Sequence, residues 1–487
     1  MSVDLKQKTV SGLTWNFTGN AFEKAISLVV GIILARLLTP REYGLVGMVT
    51  IFIVLTQPFI NSGFSQALIR KQDCDQKDFS TVFYFNLFVG LLIYVILYFT
   101  APFISTFFKE PQLTKLTRVI GTIVIIDAFT LIQTTILTKE INFKKLTQIN
   151  IASISVSGVI GIYLAYKGFG VWSLVYRAIS QHILRSAFLW TGNRWMPSRV
   201  FSIRSFKEMF GFGSNLLVTA IIDKLYYNIY NLVIAKFFSA KELGLYSRAD
   251  MFKSLASTQI SEIIAVVAFP ALSRLQNEPE RLSDNYKKIL NSTMYVVLIL
   301  LLIIAASAES LVLTLIGEKW IESVIYLQLL CFVGIFYPLN AMARTLLYVY
   351  GKGRLTLKLE IITKLFMIPA VLTGIFLGIK AMIVAMIIVS AAEYILKAFY
   401  SGRLIGYSVL SQFKDLSASF FIAISVGAFL LLVDHFIDCS IAVKFILQIG
   451  LGTILTVSVS EIFKIREYMF IKENLIDIIK GLLNKKS

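Results

Sequence analysis

The chain has 487 residues, of which 56% are hydrophobic and only 16% are charged, and its mean hydropathy is +0.74. Soluble domains are about half apolar and about a quarter charged, so this composition excludes a soluble enzyme. The formal net charge of +18 would suit a nucleic-acid-binding protein, but lysine and arginine also accumulate in the cytoplasmic loops of membrane proteins. We therefore expect a multi-pass membrane protein that has no nucleic acid as a partner.

Apolar segments long enough to cross a bilayer, which takes about 20 residues, occur fourteen times along the chain. They predict an all-α integral membrane protein. The predicted spans are 8–36, 42–69, 78–106, 112–138, 146–166, 169–193, 205–237, 242–273, 284–310, 321–349, 356–377, 381–402, 415–434 and 441–461. Residues 462–487 carry apolar side chains at helical spacing with lysines between them, which predicts an amphipathic helix lying on the cytoplasmic leaflet.

The distribution of basic residues predicts the orientation of the chain. If the N-terminus is cytoplasmic, lysines and arginines in the cytoplasmic segments outnumber those on the opposite face by more than two to one. That bias is the one the positive-inside rule describes. Because the number of spans is even, we expect the C-terminus to be cytoplasmic as well.

The second half of the chain repeats the first. The matching segments are ARLLTPREYGL (35–45) with AKFFSAKELGL (235–245), ALIRKQ (67–72) with ALSRLQ (271–276), and GIYLAYKG (161–168) with GIFLGIKA (374–381). Three matches in the same order, each at an equivalent helix boundary, argue against chance hydrophobic similarity.

Six predicted spans separate the two copies, so both copies enter the membrane in the same direction and form a parallel repeat. Such a repeat predicts two lobes with a substrate path between them and transport by alternating access. The predicted domains are an N-lobe at 1–193, a cytoplasmic linker at 194–204, a C-lobe at 205–405, two further spans within 406–461 and the tail at 462–487.

Several longer motifs make the sequence resemble a known family. They are LARLLTPREYGLVGMVTIF (34–52), GFSQALIRKQD (63–73), STVFYFNLFVGLLIY (80–94), YNLVIAKFF (230–238), LGLYSRAD (243–250), FPALSRLQ (269–276) and GEKW (317–320). With them the chain resembles the polysaccharide transporter family of the multidrug/oligosaccharidyl-lipid/polysaccharide (MOP) superfamily, the Wzx-type flippases, in the branch of colanic-acid-type and teichuronic-acid-type exporters. In that family an acid often precedes the residue equivalent to Asn231, where this chain has Tyr230, and the nearest acid is Asp223.

This resemblance implies a MATE-like bundle of twelve core helices in two lobes, here with two additional C-terminal helices. It implies that undecaprenyl-diphosphate-linked oligosaccharide is carried across the bacterial plasma membrane for the synthesis of O-antigen, capsule or exopolysaccharide. The implied partners are the lipid-linked oligosaccharide, membrane lipids and a polysaccharide polymerase.

Charged residues inside predicted spans are the candidates for function, because they are costly in lipid and usually face a bundle interior or a watery path. Glu23 and Lys24 lie mid-span in the first helix, and Asp223 and Lys224 lie 200 residues later, in the seventh. Neighbouring helical residues point about 100° apart and do not pair well. The repeat therefore suggests two crossed pairs, Glu23 with Lys224 and Lys24 with Asp223, whereas separate ion pairs within each lobe are the alternative.

The other candidates are polar or charged residues of the spans. Cations suit a diphosphate and acidic sugars, so the substrate-binding candidates are Lys24, Lys224, Arg177, Arg248, Arg344, Asn20 and Asn228. Arg185 is a further cavity candidate. For the four arginines the alternatives are that the side chain extends to the membrane interface, which suits Arg185 and Arg344 best, or that it caps a helix. The candidates for H⁺ or Na⁺ coupling are Glu23, Asp223 and Asp127. Glu262 and Glu393 could also bind a proton or Na⁺, and for these two and Asp127 the alternative is a role as a structural partner.

Signatures of catalysis and of metal sites are missing from the sequence. It has no P-loop, two histidines and three scattered cysteines, so we expect a transporter without enzyme activity, cofactor or metal. A cation-coupled multidrug exporter of the same superfamily is the first alternative, although the doublet lysines disfavour cationic drugs. A second alternative is a membrane glycosyltransferase or polymerase, but such an enzyme needs larger loops than the longest one here, which has about 15 residues. A third is a membrane scaffold without transport activity, which would not explain the charges inside the spans.

Overall fold

The computed structural model describes residues 3–61, 63–437 and 439–483, and every regular element in these ranges is a helix. The chain divides into two compact units, Met1–Gly244 and Leu245–Ser487. The helices of the N-terminal unit are α1 (Val3–Leu37), α2 (Pro40–Asn61), α3 (Phe64–Arg70), α4 (Gln76–Phe108), α5 (Leu113–Ile120), α6 (Thr122–Lys139), α7 (Phe143–Tyr166), α8 (Val171–Gly192), α9 (Ile203–Tyr227) and α10 (Ile229–Phe237). In this unit α1 packs on α7, α7 on α8 and α4 on α6.

The helices of the C-terminal unit begin with α11, whose first turn still belongs to the N-terminal unit. They are α11 (Ala240–Ala256), α12 (Thr258–Ser273), α13 (Pro279–Ala306), α14 (Ala308–Leu315), a short 3₁₀ helix (Glu318–Trp320), α15 (Ser323–Val349), α16 (Gly353–Leu377), α17 (Ile379–Leu404), α18 (Val409–Phe436), α19 (Ile441–Ile462) and α20 (Arg466–Leu483). The central helices are α13, which packs on α15 and α18, and α17, which packs on α15 and α16.

In the described residues, eleven helical segments are long and apolar enough to cross a membrane. They coincide with eleven of the fourteen predicted spans. The other three predicted spans correspond to α1, to α8 and to α9 with α10, which are helical. Those three helical regions carry the Glu23 and Asp223 doublets and three of the other candidate residues, Arg177, Asn20 and Asn228.

The prediction of one continuous helix over residues 205–237 is wrong. Asn228 has φ −101° and ψ 4°, and it separates α9 from α10. Its side-chain amide donates to the carbonyl oxygen of Lys224 at 2.9 Å. Asparagine readily makes such local bonds to the backbone, which compete with the helical ladder. The helix is thus interrupted one turn after the Asp223–Lys224 doublet, and interrupted membrane helices are typical of transporter binding sites.

The segment predicted as a linker, 194–204, lies against the start of α4. The indole Nε1 of Trp195 donates to Gln76 Oε1 at 2.7 Å, and the backbone N–H of Ser202 donates to Thr81 Oγ1 at 2.9 Å. Nearby, Lys71 is paired with the carboxylates of Asp78 at 2.9 Å and of Glu208 at 3.3 Å. The hydrogen bond with Asp78 raises the pKa of Lys71. The start of α9 is therefore fixed to the N-terminal unit, and the predicted lobe boundary at the linker stays a prediction.

The first repeat match makes a reciprocal contact inside the N-terminal unit. A Cβ atom built on Gly44 would lie 1.6 Å from the carbonyl oxygen of Ala240, and one built on Gly244 would lie 1.9 Å from that of Pro40. The sequence match aligns Pro40 with Ala240 and Gly44 with Gly244. Equivalent residues thus exchange partners, which is the pattern of a two-fold axis between the two segments. Only glycine allows backbones to approach this closely.

The predicted amphipathic tail is confirmed as a helix by α20, which packs on α13 and α19. The last predicted residues, 484–487, lie outside the described part of the chain. The position of α20 on a membrane leaflet stays a prediction.

Candidate functional site

The Glu23–Lys24 and Asp223–Lys224 doublets both belong to the N-terminal unit. Glu23 is half-buried on α1, whereas Lys24, Asp223 and Lys224 are exposed. The Glu23 carboxylate is hydrogen-bonded to the side chain of Asn150 and lies near the guanidinium of Arg185. The predicted crossed pairs of the two doublets stay predictions.

Asn150 and Arg185 connect three helices around Glu23. Arg185 Nε on α8 donates to Asn150 Oδ1 on α7 at 3.1 Å. Glu23 contributes the carboxylate from α1, so a cation, an amide and an acid form one network within the unit. A partly buried guanidinium thus has an amide and a carboxylate within reach. Both interpretations of Arg185, a place in the cavity and extension to the membrane interface, stay predictions.

Asp127 forms the second polar network of the N-terminal unit. Gln57 Nε2 on α2 donates to Asp127 Oδ2 at 2.8 Å, and His182 Nδ1 on α8 donates to Asp127 Oδ1 at 2.6 Å. The Asp127 side chain is 13% exposed, so both of its oxygens are satisfied in a largely buried place. His182 and Arg185 are three residues apart and share one face of α8. The two networks therefore lie side by side along that helix.

The C-terminal unit has polar bridges between the equivalent helices. By the repeat, α16 and α17 correspond to α7 and α8, and there Lys397 Nζ is paired with Glu360 at 2.7 Å and with Glu393 at 2.6 Å. Lys397 is 2% exposed. Tyr337 on α15 donates from its hydroxyl to Glu262 Oε1 on α12 at 3.2 Å. Glu262 and Glu393 thus each have a partner within the unit, and both predicted roles of these acids, ion binding and structural pairing, stay predictions.

The remaining predicted substrate-binding residues are distributed over both units. Asn20 is exposed on α1, and Arg177 on α8 packs against Gly161 of α7. In the C-terminal unit, Arg248 Nη1 contacts the sulfur of Met251 at 3.3 Å, and Arg344 is half-buried in α15. No bound molecule tests these five assignments, counting Asn228, so they stay predictions.

Sequence reasoning missed Gln57, Asn150 and His182 as partners of the predicted acids. Their helices are distant in sequence from the acids they contact, and only the packing of the helices brings them to Asp127 and Glu23. One signal was available, since His182 is one of only two histidines in the chain and lies in a predicted span. In the described ranges, no group of three or more His, Cys, Asp or Glu residues is placed to hold a metal ion.

Comparison with protein families agrees with this architecture. The sequence model of the family described as "Polysaccharide biosynthesis protein" matches residues 33–325, which is more than half of the chain. The chain belongs to this family. The match begins inside α1 and ends inside α15.

Two relatives of this polysaccharide biosynthesis protein align over most of their length. The teichuronic acid biosynthesis protein TuaB of Bacillus subtilis (strain 168) is 27% identical over 432 residues, covering 87% of this chain and 88% of TuaB. The lipopolysaccharide biosynthesis protein WzxC of Escherichia coli (strain K12) is 24% identical over 378 residues, covering 76% of each chain.

Solved structures show that the fold is that of the MOP transporters. The lipid II flippase MurJ in an inward closed conformation superposes with a TM-score of 0.73 at 14% identity, covering 92% of this chain and 98% of MurJ. A multidrug resistance transporter of the MATE family in an inward-facing conformation superposes with a TM-score of 0.62 at 18% identity. The superposition covers 79% of this chain and 94% of that transporter. The predicted MATE-like fold is thereby confirmed.

Proposed function

We propose that this polysaccharide biosynthesis protein is a flippase that carries an undecaprenyl-diphosphate-linked oligosaccharide across the bacterial plasma membrane by alternating access. The observation that carries the proposal is the family match over residues 33–325, with full-length relatives in teichuronic acid and lipopolysaccharide biosynthesis. The fold of transporters supports it, and the protein acts as a transporter and not as an enzyme. Both termini are cytoplasmic, and a polysaccharide polymerase uses the product.

The headgroup of such a substrate needs cations along its path. A diphosphate leaving water loses hydration that fixed positive charges must replace. Lys24 and Lys224 occupy equivalent positions of the repeat and are exposed, and Lys224 lies one turn before the break at Asn228. We assign them to the diphosphate, and Asn20 and Asn228 to sugar or phosphate oxygens. The arginines Arg177, Arg248 and Arg344 are assigned to acidic sugars and phosphate.

Lys24→Ala and Lys224→Ala are each expected to lower export of surface polysaccharide at least tenfold, because a charge-assisted hydrogen bond to phosphate contributes roughly 1.5–3 kcal/mol. The measurement is accumulation of lipid-linked oligosaccharide on the cytoplasmic leaflet of cells that carry only the variant. Lys380→Ala is the matched control, since Lys380 is exposed on α17 and is not assigned to the path. Normal export by the Lys24→Ala/Lys224→Ala double variant, with the protein inserted in the membrane, would refute the assignment.

We further propose that an H⁺ or Na⁺ gradient drives transport through the acids of the N-terminal unit. Glu23 and Asp127 each lie in a network with a base on α8, Arg185 and His182 respectively. A substrate diphosphate that attracts Lys24 and Lys224 draws positive charge away from Glu23 and Asp223, which favours uptake of a cation by these acids. By linkage, the ion and the substrate must then alter each other's affinity by the same factor.

The double variant Glu23→Gln/Asp223→Asn is expected to bind substrate but to lose its response to an imposed pH or Na⁺ gradient in proteoliposomes. Asp127→Asn is the parallel variant and leaves the doublets intact. A gradient response that survives in the double variant and disappears in Asp127→Asn would move the coupling site to the Asp127 network. A response equal to that of the parent in both variants would contradict coupling through these acids.

A further inference from the structure

A pocket in the C-terminal unit lies outside the polar networks assigned to transport. It has a volume of about 580 Å³ and forms where the start of α13, the start of α18 and the turn between α19 and α20 meet. We call it the α20 pocket. Its lining includes Asp284, Lys288, Asp415, Phe463, Lys464 and Arg466.

Two charged residues of the α20 pocket, Lys287 and Asp415, both contact Tyr407. The ammonium of Lys287 lies over the ring of Tyr407 at 4.9 Å, and the hydroxyl of Tyr407 donates to Asp415 at 2.8 Å. A short distance along α20, Lys472 pairs with Glu461 at 2.6 Å. The tail of the chain therefore does form ion pairs where an acid is within reach.

Three cations of the pocket remain available to a ligand. Within the described ranges, Lys288, Lys464 and Arg466 pair with no carboxylate, and all three are exposed. The acids Asp284 and Glu467 also line the pocket, so its four cations exceed its three acids by one. One unit of negative charge, which is the charge of a phosphodiester, neutralises the lining.

The turn between α19 and α20 has a defined backbone. Lys464 has φ 46°, the left-handed conformation common just after the end of a helix. The backbone N–H of Ile465 donates to the carbonyl of Ser460 at 3.0 Å, and the Ser460 hydroxyl is hydrogen-bonded to Tyr295 on α13 at 2.6 Å. The backbone that carries Lys464 and Arg466 is thus joined to α13. The first amides of α20 also point toward this turn without helical acceptors, as at every helix start.

Apolar side chains stand directly beside the cations. Ile462 and Phe463 are 73% and 71% exposed at the end of α19, which is one of the helices long and apolar enough to span the membrane. A ligand at this place meets positive charge and a hydrocarbon surface together. A free phosphate ion uses only the charge, whereas a phospholipid uses both.

We propose that the α20 pocket binds the headgroup phosphate of an anionic glycerophospholipid, with its acyl chains along Ile462 and Phe463. Basic pockets between membrane helices bind anionic headgroups in this way, and each lysine or arginine near the surface contributes about 1 kcal/mol. The bound lipid contacts α13, α18 and α20 together and stabilises the packing of α20 on the other two helices. This site is independent of the proposed transport activity.

The test uses the full-length protein purified in detergent and incubated with phosphatidylglycerol, and the retained lipid is quantified by mass spectrometry after gel filtration. Lys288→Gln/Lys464→Gln/Arg466→Gln is expected to weaken binding roughly a hundredfold, about fivefold for each cation removed. The matched control is Lys352→Gln/Arg354→Gln/Lys358→Gln, which removes three exposed cations at the start of α16 in the same unit. Phosphatidylglycerol retained equally by the two triple variants would overturn the proposal.

A second arm separates the lipid from free phosphate as the ligand. Inorganic phosphate at millimolar concentration should not displace phosphatidylglycerol from the parent protein, because it makes no apolar contact. Phe463→Ser keeps every cation and should lower lipid retention severalfold. Displacement by inorganic phosphate, together with unchanged retention in Phe463→Ser, would assign the pocket to a soluble phosphate and overturn the lipid. Equal melting temperatures of all variants are the check that the fold is intact.

Discussion

Replacing Gly44 by alanine is expected to abolish export and to lower the melting temperature of the protein. The new Cβ would lie 1.6 Å from the carbonyl oxygen of Ala240, and no side-chain rotation relieves a contact with main chain. Overpacking in well-packed interiors costs typically 1–3 kcal/mol and occasionally more, and here two backbones must separate. Gly244→Ala should have the same effect, because its Cβ would lie 1.9 Å from the carbonyl oxygen of Pro40.

Gly450→Ala is the control for this pair of variants. Gly450 lies inside α19, and a Cβ on it meets nothing within 4 Å. Alanine is also the better helix former by roughly 0.8–1.0 kcal/mol, so this variant should be as stable as the parent or slightly more so. The measurements are thermal unfolding of the purified protein and surface polysaccharide in a deletion strain. Parent-like behaviour of Gly44→Ala in both would show that α2 and α11 do not approach this closely.

Replacing Lys397 by methionine is expected to prevent accumulation of folded protein. Lys397 is 2% exposed and lies between the carboxylates of Glu360 and Glu393. Removing one partner of a buried ion pair costs roughly 3–5 kcal/mol, because it leaves an uncompensated charge in a medium of low dielectric. Here two carboxylates would face each other without a cation. The amount of protein in the membrane fraction and its melting temperature report the loss.

The triple variant Lys397→Met/Glu360→Gln/Glu393→Gln separates charge balance from simple loss of contact. It removes all three charges, and such neutral replacements of a buried pair are often tolerated, so most of the stability should return. Lys472→Met, which breaks the exposed pair with Glu461 at 2.6 Å, should leave the melting temperature unchanged because surface pairs contribute little. Equal stability of the single and triple Lys397 variants would contradict a role in balancing the two acids.

The sequence predicted the helical membrane fold well because hydropathy depends on each segment alone. The eleven apolar helices coincide with predicted spans, and the repeat was visible at residues 35–45 and 235–245. The break at Asn228 was missed, since one asparagine does not alter the mean hydropathy of a long segment. Its signal was the local run Tyr226-Tyr227-Asn228, in which an asparagine side chain competes with the helical backbone.

The candidate site was predicted in part. Charges inside spans drew attention to Glu23 and Asp127, because burial of an ionisable group is costly whatever surrounds it, and in the structure both acids have polar partners. Their roles stay predictions. Their partners Asn150 and His182 come from helices that are distant in sequence, and hydropathy contains no information about which helix packs on which. For the same reason Lys397 was not recognised, although its partner Glu393 lies one turn before it on α17.

The exchange of partners among Pro40, Gly44, Ala240 and Gly244 also bears on the origin of the chain. Each copy supplies a small residue and a carbonyl oxygen to the other, so neither copy makes this contact with itself. Two separate molecules of half the length would make the same contact across a symmetric dimer interface. Within the single chain, the two glycines therefore share one steric constraint. A larger side chain at either position separates the same pair of backbones, so a second substitution at the other glycine should add little to the effect of the first.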